Sequence, residues 1–383
     1  MTMEAGPLSA VRVVHLAAAG PIPLATMLLA DLGADVIRVD RATGDGSVTG
    51  LATRDDPRTR GQRSVGLDVK QEAGRELLLQ LMERSDVFLE GMRPGVAERL
   101  GIGPEPALRR NPRLVYGRMT GWGQDGPLAR AVGHDLNYLA VAGALHPMGP
   151  ADAPPPVPLN LIADFGGGGL YLAVGVLAAL LERASSGQGQ VVDAAMVDGV
   201  ASMTGMFHAM LAKGLWSDAR EDNLLDGAAP FYRTYATSDG GFMAVGAIES
   251  QFYAALLATL GLDPARWPQH DRSRWPSQRA ALAEVFAGHT RDEWAARFAG
   301  VDACVTPVLS LAEATAHPHL RERGTFVEAD GLTQPAPAPR LSRTPAAVAG
   351  PRTGPRAHTA EVLGELGLGM AELDALRAKG VVG

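Results

Sequence analysis

Short runs of β-branched residues alternate with helically spaced apolar positions along the first third of the chain. Residues 11–16 (VRVVHL), 35–39 (DVIRV), 87–89 and 114–119 read as strands. Between them, 24–32 and 70–84 carry apolar residues at helical spacing, the first ending at Gly33. Strands separated by helices predict parallel βαβ units and an α/β sheet. A proline- and glycine-rich stretch at 143–158 (GALHPMGPADAPPPVP) predicts an irregular connection. Helical spacing returns at 166–181, then a short strand at 190–192 and a long helix at 193–211. From Phe231 the pattern changes. FYRTYATSDGGFMAVGA predicts a hairpin turning at Asp239-Gly240-Gly241, followed by helices at 250–260, 277–287 and 291–299. The proline-rich segment 334–355 predicts an extended surface strap, and short helices at 359–366 and 371–379 close the chain. The expected division is a large domain at 1–190, a linker helix at 191–225, a small α+β domain at 226–325, and a return to the large domain at 326–383.

Composition narrows the class. A chain of 383 residues is too long for one ordinary core, and a net charge of −7 argues against a general nucleic-acid binder. Only Lys70, Lys213 and Lys379 are lysine, so arginine is the default cation and its position matters more than its number. The longest clean apolar run, 170–181, falls short of the roughly 20 residues that span a bilayer. No charged n-region precedes an apolar stretch at the start. Cys304 is the single cysteine, which leaves no intrachain disulfide. A cytoplasmic enzyme without a membrane partner is expected.

Four places carry candidate chemistry. Strand, small-residue turn (AAAGP, 17–21), helix, strand and Asp40 form the outline of a dinucleotide-binding unit, but Gly20 stands alone before Pro21 and the glycine fingerprint is missing. Arg38 and Arg41 flank Asp40 and suit a phosphate, whether of NADP or of the ADP end of coenzyme A; a solvated strand end is the plainer alternative. In GHDLNY (133–138), His134 opens a helix, where the positive end of the dipole favours a neutral imidazole able to act as a base. Asp135 has a plainer use there as a helix cap. In NLIADFGGGG (160–169), Asp164 lies in an apolar segment before four glycines, each costing up to about 1 kcal/mol in a helix relative to alanine. That cost points to close approach by a backbone or ligand, with amides placed for an oxyanion; a hinge capped by Asp164 is the alternative. Glu249 ends AVGAIES at a helix start, a position a glutamate also takes for the dipole alone. The His317-Pro318-His319 triplet lacks paired metal-ligand spacing, so no metal is expected.

In order along nearly the whole chain, the blocks MLLADLGADVIRVDR (27–41), LDVK (67–70), EGMRPGVAERLGIGP (90–104), RMTGWGQDGP (118–127), GHDLNY, NLIADFGGG, GQVVDAAMVDG (189–199), AVGAIESQFY (244–253) and DACVTPV (302–308) resemble the family III CoA-transferase and α-methylacyl-CoA racemase superfamily, its racemase branch in particular. The resemblance implies a large Rossmann-like α/β domain built from both ends of the chain, with a smaller α+β domain. It implies an interlocked homodimer whose active sites are shared between subunits, Glu249 arriving from the partner. The catalytic histidine and aspartate of the family fall on His134 and Asp164, a supporting glutamate on Glu249 and an active-site asparagine on Asn160. Arg41, the segment Leu67, Asp68, Val69 and Lys70, then Gly91, Met92, Arg93 and Arg99 match positions that hold coenzyme A. Gly133, Asp135, Leu136, Asn137 and Tyr138 complete the binding block around His134. The acyl-CoA thioester is the substrate, so no separate cofactor is implied.

Three departures fall near the coenzyme A groove and the aspartate: Met92 in place of an aromatic, Ala163 in place of a glycine, and the basic stretch RTRGQR (58–63). On this reading His134 takes the α-proton from the 2S epimer and protonated Asp164 supplies one to the other face, with amides of 166–168 holding the enolate oxygen and the roles reversed for 2R. The competing readings are a CoA-transferase with Asp164 as nucleophile, an NADP oxidoreductase, and a non-catalytic acyl-CoA binder.

Overall fold

The computed structural model describes residues 6–44 and 51–383. The chain divides into two compact units. The larger comprises Met1–Ala142, Pro158–Met203 and Arg321–Gly383; the smaller comprises Gly143–Val157 and Thr204–Leu320.

The larger unit runs β1 (Arg12–Leu16), α1 (Pro21–Asp31), β2 (Asp35–Asp40), β3 (Gln62–Gly66), α2 (Glu72–Glu83), β4 (Val87–Glu90), α3 (Val96–Arg99), α4 (Pro104–Arg110), β5 (Val115–Thr120) and α5 (Asp135–Val141). A π-helix (Leu161–Leu170), α6 (Tyr171–Ser186), β6 (Val191–Ala195) and α7 (Met196–Met203) follow. The six strands form one parallel sheet in the order β3-β2-β1-β4-β5-β6. Val14, at the centre, faces Ile37 on one side and Phe88 on the other, and all three are fully buried. Helices cover both faces of such a sheet, which is why its inner strands read as apolar runs rather than alternations.

Two differences from the sequence reading have local causes. α1 begins at Pro21, earlier than its apolar periodicity, because a proline at the first helical position gives up no hydrogen bond. β3 (QRSVG) was not expected at all. It is an edge strand whose polar residues are buried by the C-terminal segment: His358 N donates to Ser64 O (2.8 Å), and Leu67 bridges to Val382.

The expected linker helix at 191–225 does not exist as one element. Residues 193–195 complete β6, α7 stays in the larger unit, and the helix breaks at Thr204. The π-helix continues directly into α6, so Leu161–Ser186 is one helix of 26 residues, long and apolar enough by length and composition to cross a membrane. It packs here on α1, α7, β5 and β6, as a layer helix of the sheet.

The smaller unit has α8 (Gly205–Ala212), then the hairpin β7 (Tyr232–Ala236) and β8 (Phe242–Gly246) turning where the glycine pair lies. α9 (Ser250–Leu260), α10 (Trp275–Phe286) and α11 (Arg291–Phe298) precede β9 (Val305–Pro307), an unexpected third strand that pairs antiparallel with β8. α12 (Leu311–Ala316) and α13 (Pro318–Glu322) follow. Phe231, Trp275, Phe286 and Trp294 centre its separate core. The irregular segment predicted at 143–158 supplies part of this unit.

Back in the larger unit, β10 (Phe326–Ala329) and β11 (Leu332–Pro335) make a hairpin, the strap follows, and α14 (Thr359–Glu365) and α15 (Met370–Ala378) close the fold. Val362, Leu363, Leu373, Val381 and Val382 join the same core as β1 and β2. The strap is pinned by Ala347 N to Asp31 O (3.1 Å) and Gly61 N to Pro351 O (3.0 Å).

Candidate active site

In the larger unit the strand order reverses between β1 and β4, and an open α/β sheet offers its crevice beyond the carboxyl ends of the strands at that point. Gly20, after β1, has φ of 73°, and a Cβ there would lie 3.4 Å from Asp164 Oδ2. Beyond β5, a side chain on Gly121 would overlap the Tyr138 ring of α5, against which Trp122 packs edge-on at 4.8 Å. The N-terminus of α5 and the π-helix therefore close on the carboxyl edge of the sheet, and glycines at the strand ends let them.

At that edge His134, Asn160 and Asp164 come together. His134 precedes α5 with an extended backbone and an exposed side chain, its amide donating to Asn137 Oδ1 (3.0 Å). The Tyr138 hydroxyl donates to Gly133 O. Asn160 Nδ2 donates to Asp164 Oδ2 (3.1 Å). Asp164 is half-buried, and that burial pushes its carboxyl above the usual range; the Asn160 hydrogen bond, His134 and Arg58 pull it down, while neighbouring Asp135 pushes it up. An imidazole and a carboxyl held toward its protonated form thus share one crevice. Glu249 lies in the smaller unit, exposed before α9, its carboxylate accepting no hydrogen bond among the described residues.

The four glycines have a packing role. A Cβ on Gly167 would sit 2.9 Å from Val200 N, and one on Gly168 would sit 2.9 Å from both Met196 Cγ and Pro21 Cβ. A side chain on Gly199 of α7 would overlap the Gly167 carbonyl. These residues let α1 and α7 approach the π-helix at backbone distance. The amides of 166–168 lie inside that helix, where each donates five residues back. They are not free for an oxyanion, contrary to the sequence reading. In α5, Asn137 N and Tyr138 N already donate to His134 O (2.8 and 3.3 Å), which leaves the amides of Asp135 and Leu136 without an acceptor among the described residues.

The coenzyme A candidates divide by what their side chains already do. Arg41, Lys70, Arg93 and Arg99 are exposed and make no ion pair among the described residues. Arg38 is a correction: it is 4% exposed, paired with Asp40 (3.1 Å) and donating to Thr353 O (3.0 Å), so it anchors the strap and is not available to a phosphate. Leu67 is core, Val69 and Met92 pack against that core, and Asp68 accepts from Lys70 N and Gln71 Nε2. Gly91 is exposed past β4, with a Cβ position 3.0 Å from Ile22 Cδ1. Leu136 and Asn137 are exposed on α5, whereas Asp135 and Tyr138 are buried.

The basic stretch 58–63 also proves internal. Arg60 pairs with Asp31, and Arg63 with Asp35, Glu361 and Glu365. Only Arg58, at 5.8 Å over Phe165 and acting on Asp164, touches the site, and nothing in its spacing announces that.

A parallel sheet open at its strand reversal, an imidazole beside a carboxyl, and arginines unpaired among the described residues are what an enzyme working on an anionic ligand needs. The chain belongs to CoA-transferase family III, whose pattern it matches over residues 8–359. Within that family it is 47% identical over 382 residues to the α-methylacyl-CoA racemase of Mus musculus, covering 98% of this chain and 97% of the relative. The human α-methylacyl-CoA racemase is 45% identical over 380 residues, with the same coverage. Among solved structures, a CAIB/BAIF family protein from Brucella suis superposes with a TM-score of 0.80 at 27% identity, covering 94% of this chain and all of that one.

Proposed function

We propose that the chain is a 2-methylacyl-CoA epimerase, interconverting 2R and 2S thioesters by removing the α-proton on one face and returning one on the other. The observation that carries this is the pair His134 and Asp164: two acid–base groups of different chemistry at one crevice, the carboxyl biased toward its acid form. Inversion without redox chemistry needs two such groups, each worth roughly 10² to 10⁴ in rate. His134 takes the proton from the 2S epimer while Asp164 delivers one, and the roles exchange for 2R. The thioester oxygen gains enolate charge between these steps and is met by the opening amides of α5. Arg41, Lys70, Arg93 and Arg99 supply positive charge for the phosphates.

The test is incubation of one epimer in D₂O, following the α-carbon by NMR. Deuterium uptake with conversion to both epimers is expected. Transfer of coenzyme A to an added carboxylate without exchange makes Asp164 a nucleophile and the enzyme a transferase instead.

We further propose that the working form is the interlocked homodimer that the family resemblance implies, with Glu249 entering the partner's crevice. An unpartnered apolar stripe on the π-helix and α6 supports it: Leu170, Val174 and Leu181, the last 75% exposed, fall on one helical face. Co-expressed His134→Ala and Glu249→Ala chains are expected to regain activity that neither variant has alone, because a mixed dimer leaves one site whole. No recovery in a purified mixed dimer overturns the shared site.

A further inference from the structure

The side chain of Asp135 does not serve its own helix. Its Oδ2 accepts two hydrogen bonds from the opening turn of the π-helix, from Ala163 N at 2.8 Å and Asp164 N at 2.7 Å. Asp135 is 5% exposed, and its other oxygen, Oδ1, is buried with no hydrogen-bond partner. The first amides of any helix need an outside acceptor. Asn160, which stands at the cap of the π-helix, gives them none, its amide nitrogen being turned to Asp164. One carboxylate, adjacent in sequence to His134, therefore holds the backbone of Asp164.

We propose that Asp135 is the positioning residue of this site: its carboxylate ties the start of the π-helix to the start of α5 and so sets the spacing between the His134 imidazole and the Asp164 carboxyl. This rests on the two-base epimerase reading above. Both bases must reach one carbon from opposite faces, and a misplacement of about 1 Å can cost roughly 10²-fold in rate. Neither catalytic side chain is otherwise firmly held: His134 is exposed without a side-chain hydrogen bond among the described residues, and the carboxyl of Asp164 has Asn160 alone.

The same carboxylate acts through its charge. Asp135 favours the protonated form of Asp164, against His134 on α5 and Arg58 before β3. The Tyr138 phenol, pushed up by burial and by Asp164, adds no charge from that side. α1 and α7 present Pro21, Leu24, Met196, Val200 and Met203 to the π-helix, all apolar. Among the described residues, Asp135 is thus the anionic neighbour that pushes Asp164 toward its protonated form.

The experiment compares wild type, Asp135→Ala and Asp135→Asn, measuring epimer conversion and α-proton exchange from each epimer across pH, with calorimetric binding of free coenzyme A as the control. Asp135→Ala is expected to lose about 10²-fold in kcat in both directions while still binding coenzyme A, because the clamp is gone and the phosphate arginines are not. Asp135→Asn keeps an acceptor oxygen for both amides and is expected to recover most of that rate. Its acid limb of kcat/KM should move to lower pH in both directions, since Asp164 has lost a neighbouring negative charge. Amide hydrogen exchange at Ala163 and Asp164 should accelerate in the alanine variant and not in the asparagine variant.

Wild-type rates in Asp135→Ala, or an unmoved acid limb in Asp135→Asn, overturn the proposal. If the alanine variant does not fold, the pH profile of the asparagine variant decides alone. Wild-type enzyme that exchanges neither epimer instead removes the epimerase reading, a separate failure that the amide-exchange comparison survives.

Discussion

Asp164→Asn enzyme in D₂O should exchange the α-proton of the 2S epimer without inverting it, and should leave the 2R epimer untouched. The substitution keeps the shape of the side chain and leaves the amides that Asp135 holds in place. What it removes is the group able to give or take a proton on one face. His134 still faces the 2S α-proton, removes it, and returns a solvent-derived deuteron to the side it came from. The 2R proton faces the other way and meets no base. Epimer conversion falls roughly 10² to 10⁴-fold in both directions, as loss of one positioned acid–base group predicts.

His134→Gln should show the mirror pattern, with exchange from 2R alone. NMR of the α-carbon reads exchange and configuration in one sample. Equal loss of exchange from both epimers in either variant would mean that one group serves both faces, and the two-base mechanism would be wrong. The burial that pushes Asp164 up also has a visible consequence. Asp164 must give up its proton to serve as the base for the 2R epimer, so conversion of that epimer should decline on the acid side at a pH above the ordinary carboxylate range.

The largest stability effect is expected at Arg60. Its guanidinium and the carboxylate of Asp31 are each 1% exposed. Arg60 Nε donates to Asp31 Oδ1 (2.9 Å), and Nη1 donates to Gln334 Oε1 (2.8 Å) and Pro335 O (2.9 Å). One side chain thereby joins the end of α1, the entry to β3 and the start of the strap. Arg60→Met removes the cation and leaves a buried carboxylate unpaired, which costs about 3 to 5 kcal/mol. That is a large part of the ~5 to 15 kcal/mol that holds an ordinary domain together. Pairing it with Asp31→Leu should restore much of the loss, because no lone charge then remains in the core. Urea midpoints of the two variants check this. A double variant no more stable than Arg60→Met alone would show that the hydrogen bonds to Gln334 and Pro335 matter more than the charge balance.

β1, β2, β4 and β5 are apolar runs between helical patterns, and each lies within a residue or two of its predicted place. β3 escaped because its sequence is polar; its backbone groups are buried by a segment almost 300 residues later, as in the bond from His358 N to Ser64 O. The helix expected over 193–211 carried unbroken apolar character, yet it spans the boundary between two units, and no periodicity marks where one core ends. His134 and Asp164 stand out by type and motif and Asn160 by the family resemblance, and the fold gathers all three. Arg38 was singled out on the same grounds, and the fold buries it in an ion pair.

The amino-acid sequence alone therefore determined what is local or compositional: the alternation that makes a parallel sheet, the family, and which side chains can move a proton. Tertiary structure decided what depends on neighbours distant in sequence. It turned the four glycines from oxyanion donors into a seat for α1 and α7, divided the arginines between core and surface, and gave Asp135 the amides of Ala163 and Asp164 to hold. The reason is physical. Hydrophobic periodicity is a property of adjacent residues, whereas burial, and with it the fate of a charge or an amide, is set by whichever segment packs on top.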